Sequence, residues 1–140
     1  MLNLDTSTPF GARVERRLQE DIVVWLTTVG GAQTPQPSPV WFLWDGETIL
    51  IYSQPTTPKL RNIERTPRVA LNFDGDGDGG DIIVLTGDAR IATDQPPADQ
   101  VPAYVAKYQD GIRGLGMSPK QFAQGYAVAI RVTPTTLRGH

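Results

Sequence analysis

Three prolines stand at strict period two in Pro35-Gln36-Pro37-Ser38-Pro39. Proline has no N–H, and residues two apart on a strand aim their N–H groups the same way. A strand carrying all three lacks donors along one side. It fits only at the margin of a sheet, with that side turned outward. The apolar run Val40-Trp41-Phe42-Leu43-Trp44 follows directly, so the marginal strand leads into a core. The pattern predicts this strand over 33–44, with Trp41 and Trp44 on opposite faces.

Other strands are predicted on either side of it. Residues 22–29 are rich in β-branched side chains and end at Gly30-Gly31, a hairpin signal. Asp45-Gly46 is a type I′ turn signal leading into a strand at 48–53. Further strands are predicted at 68–73, 82–92 and 126–132. Helices come between and after them. Thr8-Pro9 reads as a cap with proline in the first turn, and Phe10, Val14 and Leu18 form one apolar face. Thr57 caps a short helix carrying Leu60 and Ile63. A helix opening at Pro96-Pro97 places Val101, Tyr104, Val105 and Tyr108 on one face, and Gly111 ends it. Ser118-Pro119-Lys120-Gln121 is a capping box for a helix ending by Gly125.

Six strands joined mostly by tight turns make an antiparallel sheet. The 140 residues form one domain, 1–140, with too few left over to cover two open faces. Closure into a small barrel follows, in a mainly β or α+β class with short peripheral helices.

Composition narrows the chemistry. The chain has no cysteine, and its one histidine is His140. Thiolate nucleophiles, Cys-ligated metals and a Ser-His-Asp triad are therefore excluded, so an enzyme built on this chain borrows its chemistry from a cofactor. The formal charge of -2 argues against nucleic acid and anionic membranes as partners. No apolar run is long enough to span a bilayer, and the N-terminal residues lack a signal-peptide layout. The expected location is cytoplasmic.

Residues 53–62 carry the strongest local signal. Lys59 and Arg61 fall in the first turn of a helix, where cations oppose the helix dipole. With the hydroxyls of Ser53, Thr56 and Thr57 they describe an anion site, most simply for phosphate. The bland alternative sends both cations to solvent or to Glu64. The proline rim is either protection of a sheet edge or a place where a flat ligand lies against backbone. The loop at 74–81 tempts a calcium reading, but an EF-hand needs glutamate at position 12, and counting from Asp74 that position is Leu85. A flexible hairpin loop without metal is expected. The tyrosine stripe reads as packing on the barrel or on a partner subunit, and Lys107 and Arg113 as complements to a helix C-terminus.

Pro39-Val40-Trp41-Phe42, Asp45-Gly46, Ile51-Tyr52-Ser53, Lys59-Leu60-Arg61-Asn62-Ile63 and Pro67-Arg68-Val69 resemble, in order and spacing, the pyridoxamine 5′-phosphate oxidase-like split β-barrel superfamily. Leu85-Thr86-Gly87-Asp88-Ala89-Arg90-Ile91, Lys107-Tyr108 and the stretch from Tyr126-Ala127-Val128 to Pro134 resemble its flavin/deazaflavin oxidoreductase branch, described as F420-dependent. The likeness covers nearly the whole chain. It implies a homodimer with the cofactor in a groove between subunits. It implies that Lys59 holds the phosphate, helped by Arg61, Asn62, Ser53 and Thr57. The ring would lie along Ser38, Pro39, Val40 and Trp41 and along Tyr52, Ser53 and Gln54. Related deazaflavin enzymes often carry an extra basic residue just before the lysine, where this chain has Thr57 and Pro58. Arg13, Arg16 and Arg17 are then candidates for an anionic cofactor tail.

The implied activity is hydride transfer between reduced coenzyme F420 and an unsaturated small molecule. No side chain is assigned as a catalytic nucleophile, and Tyr52 or water is the candidate proton source. Two alternatives stand beside it. One is an FMN-binding oxidase or reductase of the pyridoxamine phosphate oxidase type. The other is a non-catalytic cofactor-binding or carrier protein.

Overall fold

The computed structural model describes residues 2–140. Helix α1 (Pro9–Glu20) precedes strands β1 (Val23–Val29), β2 (Pro35–Trp41), β3 (Leu43–Trp44) and β4 (Ile49–Ser53). Helix α2 (Pro58–Arg65) leads to β5 (Arg68–Asn72) and β6 (Ile83–Ile91). A 3-10 turn (Ala98–Gln100), α3 (Pro102–Gly114), α4 (Pro119–Gly125) and β7 (Val128–Gly139) complete the chain.

All seven strands lie in one antiparallel sheet ordered β2-β1-β5-β6-β7-β4-β3. Its two margins, β2 and β3, are consecutive in the chain and separated only by Phe42. The sheet therefore curls until its edges meet at that residue. Away from Phe42 the edges part, which makes the barrel split. The expected single strand over 33–44 is two strands for this reason, and the count is seven rather than six.

β2 is the margin that its prolines require. Pro35, Pro37 and Pro39 lie opposite Val29, Thr27 and Trp25 in the ladder with β1. The alternate residues Gln36, Ser38 and Val40 are left to make the ladder bonds, and the missing donors face outward.

Several boundaries differ from the sequence expectation. α3 begins at Pro102, after the 3-10 turn, and runs through Gly111 to Gly114. β7 continues past Pro134, which sits opposite Gly87 beside a register shift at Thr86/Gly87. A Cβ on Gly87 would lie 2.3 Å from the Thr133 carbonyl oxygen, so this crossing needs glycine. The turn after Trp44 is not type I′: Gly46 has φ of 95° and Asp45 does not share the left-handed region. Asp45 instead accepts the Glu47 and Thr48 N–H groups.

Two cores result. The barrel interior packs Val14 and Leu18 of α1 against Leu26, Phe42, Ile49, Ile51, Leu71, Leu85 and Ile130, with Trp44 at its margin. A second core lies outside the barrel, where α3 and α4 cover Leu50, Tyr52 and Ala129, with Trp41 at its margin. The two tryptophans thus serve opposite sides of the wall. α1 is tied to the loop at 74–81 by Asp81, which pairs with Arg13 at 3.0 Å and Arg17 at 2.6 Å.

Candidate functional site

The split between β2 and β4 opens onto a cavity of about 310 Å³. Its floor comes from the two parted strands: Pro39, Val40 and Trp41 of β2 on one side, Tyr52 and Ser53 of β4 with the following Gln54 on the other. One end is polar. There the Ser53 and Thr57 hydroxyls are 2.8 Å apart, and Ser53 also donates to the Gln54 carbonyl at 2.9 Å. Thr57 occupies the cap position of α2 yet makes no side-chain cap bond, being turned toward Ser53. The first turn of α2 holds no acidic residue. The Leu60 N–H reaches the Thr57 carbonyl at 3.3 Å, and no side chain caps the N-terminus of the helix.

Lys59 lines the same end and is the sole charged residue of the cavity wall. Among the described residues, no carboxylate forms an ion pair with it. Burial holds its ammonium below the usual lysine range. A half-buried cation with no partner, beside two hydroxyls and a helix N-terminus, is arranged for an anion.

The other end is aromatic. Tyr104 of α3, Leu115 just beyond it, Phe122 of α4 and Tyr126 complete the wall. Trp41 stacks on Tyr108 at 4.6 Å and on Phe122 at 5.6 Å between ring centroids. Tyr52 meets Tyr104 edge-on at 5.0 Å. The stripe on α3 showed in the sequence as a packing face. That one of its rings also walls a cavity depends on the β2–β4 split, which no local pattern encodes.

Not all the expected residues converge. Arg61 and Asn62 border a second cleft of about 790 Å³ on the far side of Thr57, which lines both spaces. The Asn62 side chain is buried, and its amide donates to Thr28 Oγ1 at 3.0 Å and Gln36 Oε1 at 2.8 Å. Its work is to fasten α2 to β1 and β2. Ser38 is half-buried on β2 and lies outside the lining of both spaces. Tyr52 donates its proton to the Pro96 carbonyl at 2.7 Å, so it has none to offer a ligand. Arg13 and Arg17 are engaged by Asp81 and are not available to an anionic tail. Lys107 is not at a helix end: it lies within α3, 3.8 Å above the Phe42 ring centroid, with its Nζ donating to the Phe42 carbonyl at 2.9 Å. Among the described residues, no group of three or more His, Cys, Asp or Glu side chains is placed to hold a metal ion, and no helix is long and apolar enough to cross a membrane.

A seven-stranded antiparallel sheet curled into a split barrel, with a groove between its parted edges, defines the class of fold. The chain belongs to the pyridoxamine 5′-phosphate oxidase family, whose model matches residues 10–140. Solved structures agree on the fold. A putative pyridoxamine 5′-phosphate oxidase from Listeria innocua is 24% identical with a TM-score of 0.66, over 91% of this chain and 94% of that one. A protein described as an F420 reductase is 25% identical with a TM-score of 0.65, over 89% and 94%. The heme storage protein HutZ from Vibrio cholerae shares the fold alone, at 14% identity and a TM-score of 0.63, over 99% and 95%. Comparison with curated proteins finds no match.

Proposed function

We propose that this protein is an F420-dependent oxidoreductase acting on an unsaturated small molecule. The observation that carries the reading is Lys59: a lone, unpaired, half-buried cation at the hydroxyl-lined end of an otherwise uncharged cavity. The likeness to an F420 reductase supports it. When bound, the deazaflavin supplies the hydride chemistry, and the protein supplies binding, orientation and exclusion of water.

On this reading Lys59, Ser53 and Thr57 hold the phosphate through charge-assisted hydrogen bonds. Pro39, Val40, Trp41, Tyr52 and Gln54 border the ring. The outward-turned prolines of β2 leave its margin free of donors, so a flat ligand can lie against the backbone without competing for ladder bonds. Arg61 faces the second cleft, where an anionic tail leaving the phosphate past Thr57 would run. α3 and α4 shield the aromatic end from water. The protein acts as a homodimer, with a second copy covering the open side of the groove. Leu115, 49% exposed at the mouth, is apolar surface that such a copy would shelter. The working location is the cytoplasm.

FMN is the rival ligand, carried by the alternative reading as an oxidase or reductase of the pyridoxamine phosphate oxidase type. It too joins a phosphate to a tricyclic ring. A haem reading finds less support, since the chain has no cysteine and its one histidine, His140, pairs through its backbone with Ile82 away from the cavity. Parallel titration of the cofactor-free protein with F420 and FMN tests the proposal. Tighter binding of F420 is expected. Preferential binding of FMN would move the assignment to a flavin oxidase or reductase, and binding of neither would remove both.

A further inference from the structure

Every buried tyrosine hydroxyl but one has a partner. Tyr52 donates to the Pro96 carbonyl. Tyr108 accepts from the Phe42 N–H and donates to the Ile22 or Phe42 carbonyl. Tyr104 is 0% exposed, and its hydroxyl has no hydrogen-bond partner. The other buried side-chain atoms without hydrogen bonds belong to Arg13 and Asp81, which face one another as an ion pair. Tyr104 is thus the one true orphan among the described residues, and it forms part of the cavity wall.

An unsatisfied buried hydroxyl opposes folding, and native proteins satisfy nearly all of theirs. Replacing it by phenylalanine would relieve the cost without changing the shape of the wall. The surroundings show what it could meet. Trp41, Phe122 and Tyr126 are stacked on one another around it, and no charged group stands at this end. Burial and the neighbouring phenols raise the Tyr104 pKa, which keeps the group a neutral donor.

We infer that the Tyr104 hydroxyl, closed to solvent beneath the stacked rings, is a ligand-orienting donor, which hydrogen-bonds a carbonyl oxygen of an uncharged flat ring that displaces part of that stack at the aromatic end of the cavity. This rests on the reading of the cavity as the cofactor groove. The oxygen belongs either to the cofactor ring or to a second ligand beside it. Tyr104, rather than Tyr52, is then the tyrosine with a proton to donate to that oxygen.

The test compares wild type with Tyr104→Phe. F420 is titrated into both proteins. The ketone 1-indanone and its ketone-free counterpart indane are then titrated into both, with and without F420. Weaker F420 binding by the variant, by roughly three- to tenfold, assigns the oxygen to the cofactor ring. Unchanged F420 binding with a similar loss for 1-indanone and none for indane assigns it to a second ligand. In either case the cofactor-free variant melts at the same temperature as wild type or higher. Should wild type fail to bind F420, the cofactor reading falls, and the indanone comparison on the cofactor-free protein still decides the role of Tyr104. Equal F420 and indanone binding by the two proteins, no binding of either probe by wild type, or a lower melting temperature for the variant overturns the inference.

Discussion

The Tyr108 hydroxyl accepts the Phe42 N–H at 2.7 Å and lies 2.9 Å from the carbonyl oxygen of the same residue. Phe42 is where the two margins of the sheet meet, so the sheet ladder leaves its backbone groups unpaired there. One tyrosine from a helix outside the barrel satisfies them, and Lys107 adds a second donor to the carbonyl. Tyr108→Phe is expected to lose about 1–3 kcal/mol of stability, because it strands a buried N–H. Tyr104→Phe, one helical turn away, is expected to lose none. Denaturant unfolding of the two variants side by side checks the contrast, and equal losses would contradict it.

Asn62 is expected to matter for folding rather than for ligand. Asn62→Ala removes the amide that serves buried Thr28 and Gln36 and should cost about 1–3 kcal/mol. Cofactor affinity of the folded variant should stay within about threefold of wild type. A large loss of affinity with no loss of stability would return Asn62 to the phosphate site.

Lys107 makes stability depend on pH. Burial pulls its ammonium down to about 8 against the ordinary 10.5, with Asp21 opposing the shift. Between those values the unfolded chain binds more protons than the folded one, so this lysine's contribution to stability rises with pH across that window. Lys107→Met keeps the stem over Phe42 and removes the charge. The variant should match or exceed wild-type stability below pH 8, and that advantage should shrink toward pH 10.5. A difference that stays constant with pH would contradict the assignment.

Gly111 gives Trp41 its room. A Cβ there would lie 2.9 Å from the Trp41 indole edge. Stacking on Tyr108 and Phe122 limits how far the indole can move aside. Gly111→Ala should therefore cost about 1–3 kcal/mol despite alanine's better helix propensity. A stabilised variant would show that the indole moves freely.

This glycine also marks a limit on what local sequence encodes. In sequence Gly111 reads as a helix end, because local chemistry cannot reveal that an indole from β2 packs against it. The seam at Phe42 is hidden for a similar reason. Val40 to Trp44 is an unbroken apolar run, and the break arises only when the curled sheet brings its edges together. The last strand is expected to end at 132, yet the Gly87 crossing carries β7 on past Pro134 to Gly139. By contrast, the marginal place of β2 was legible in three prolines. The Thr8 cap and the Ser118–Gln121 capping box were also legible, since each is satisfied within a few residues. Of the candidate site, the segment around Lys59 was visible as cations at the wrong end of a helix. The separation of Arg61 and Asn62 into another cleft was not, because it depends on how α2 packs against β1 and β2.

The most direct test of the central claim is the F420 dissociation constant of Lys59→Ala beside wild type, followed by the cofactor's fluorescence near neutral pH. Lys59 is the cavity's only charge, so its removal should weaken binding by ten- to a hundredfold, about 1.4–2.8 kcal/mol, while circular dichroism shows an intact fold. An unchanged dissociation constant in a folded variant would contradict the assignment of this cavity as the cofactor site.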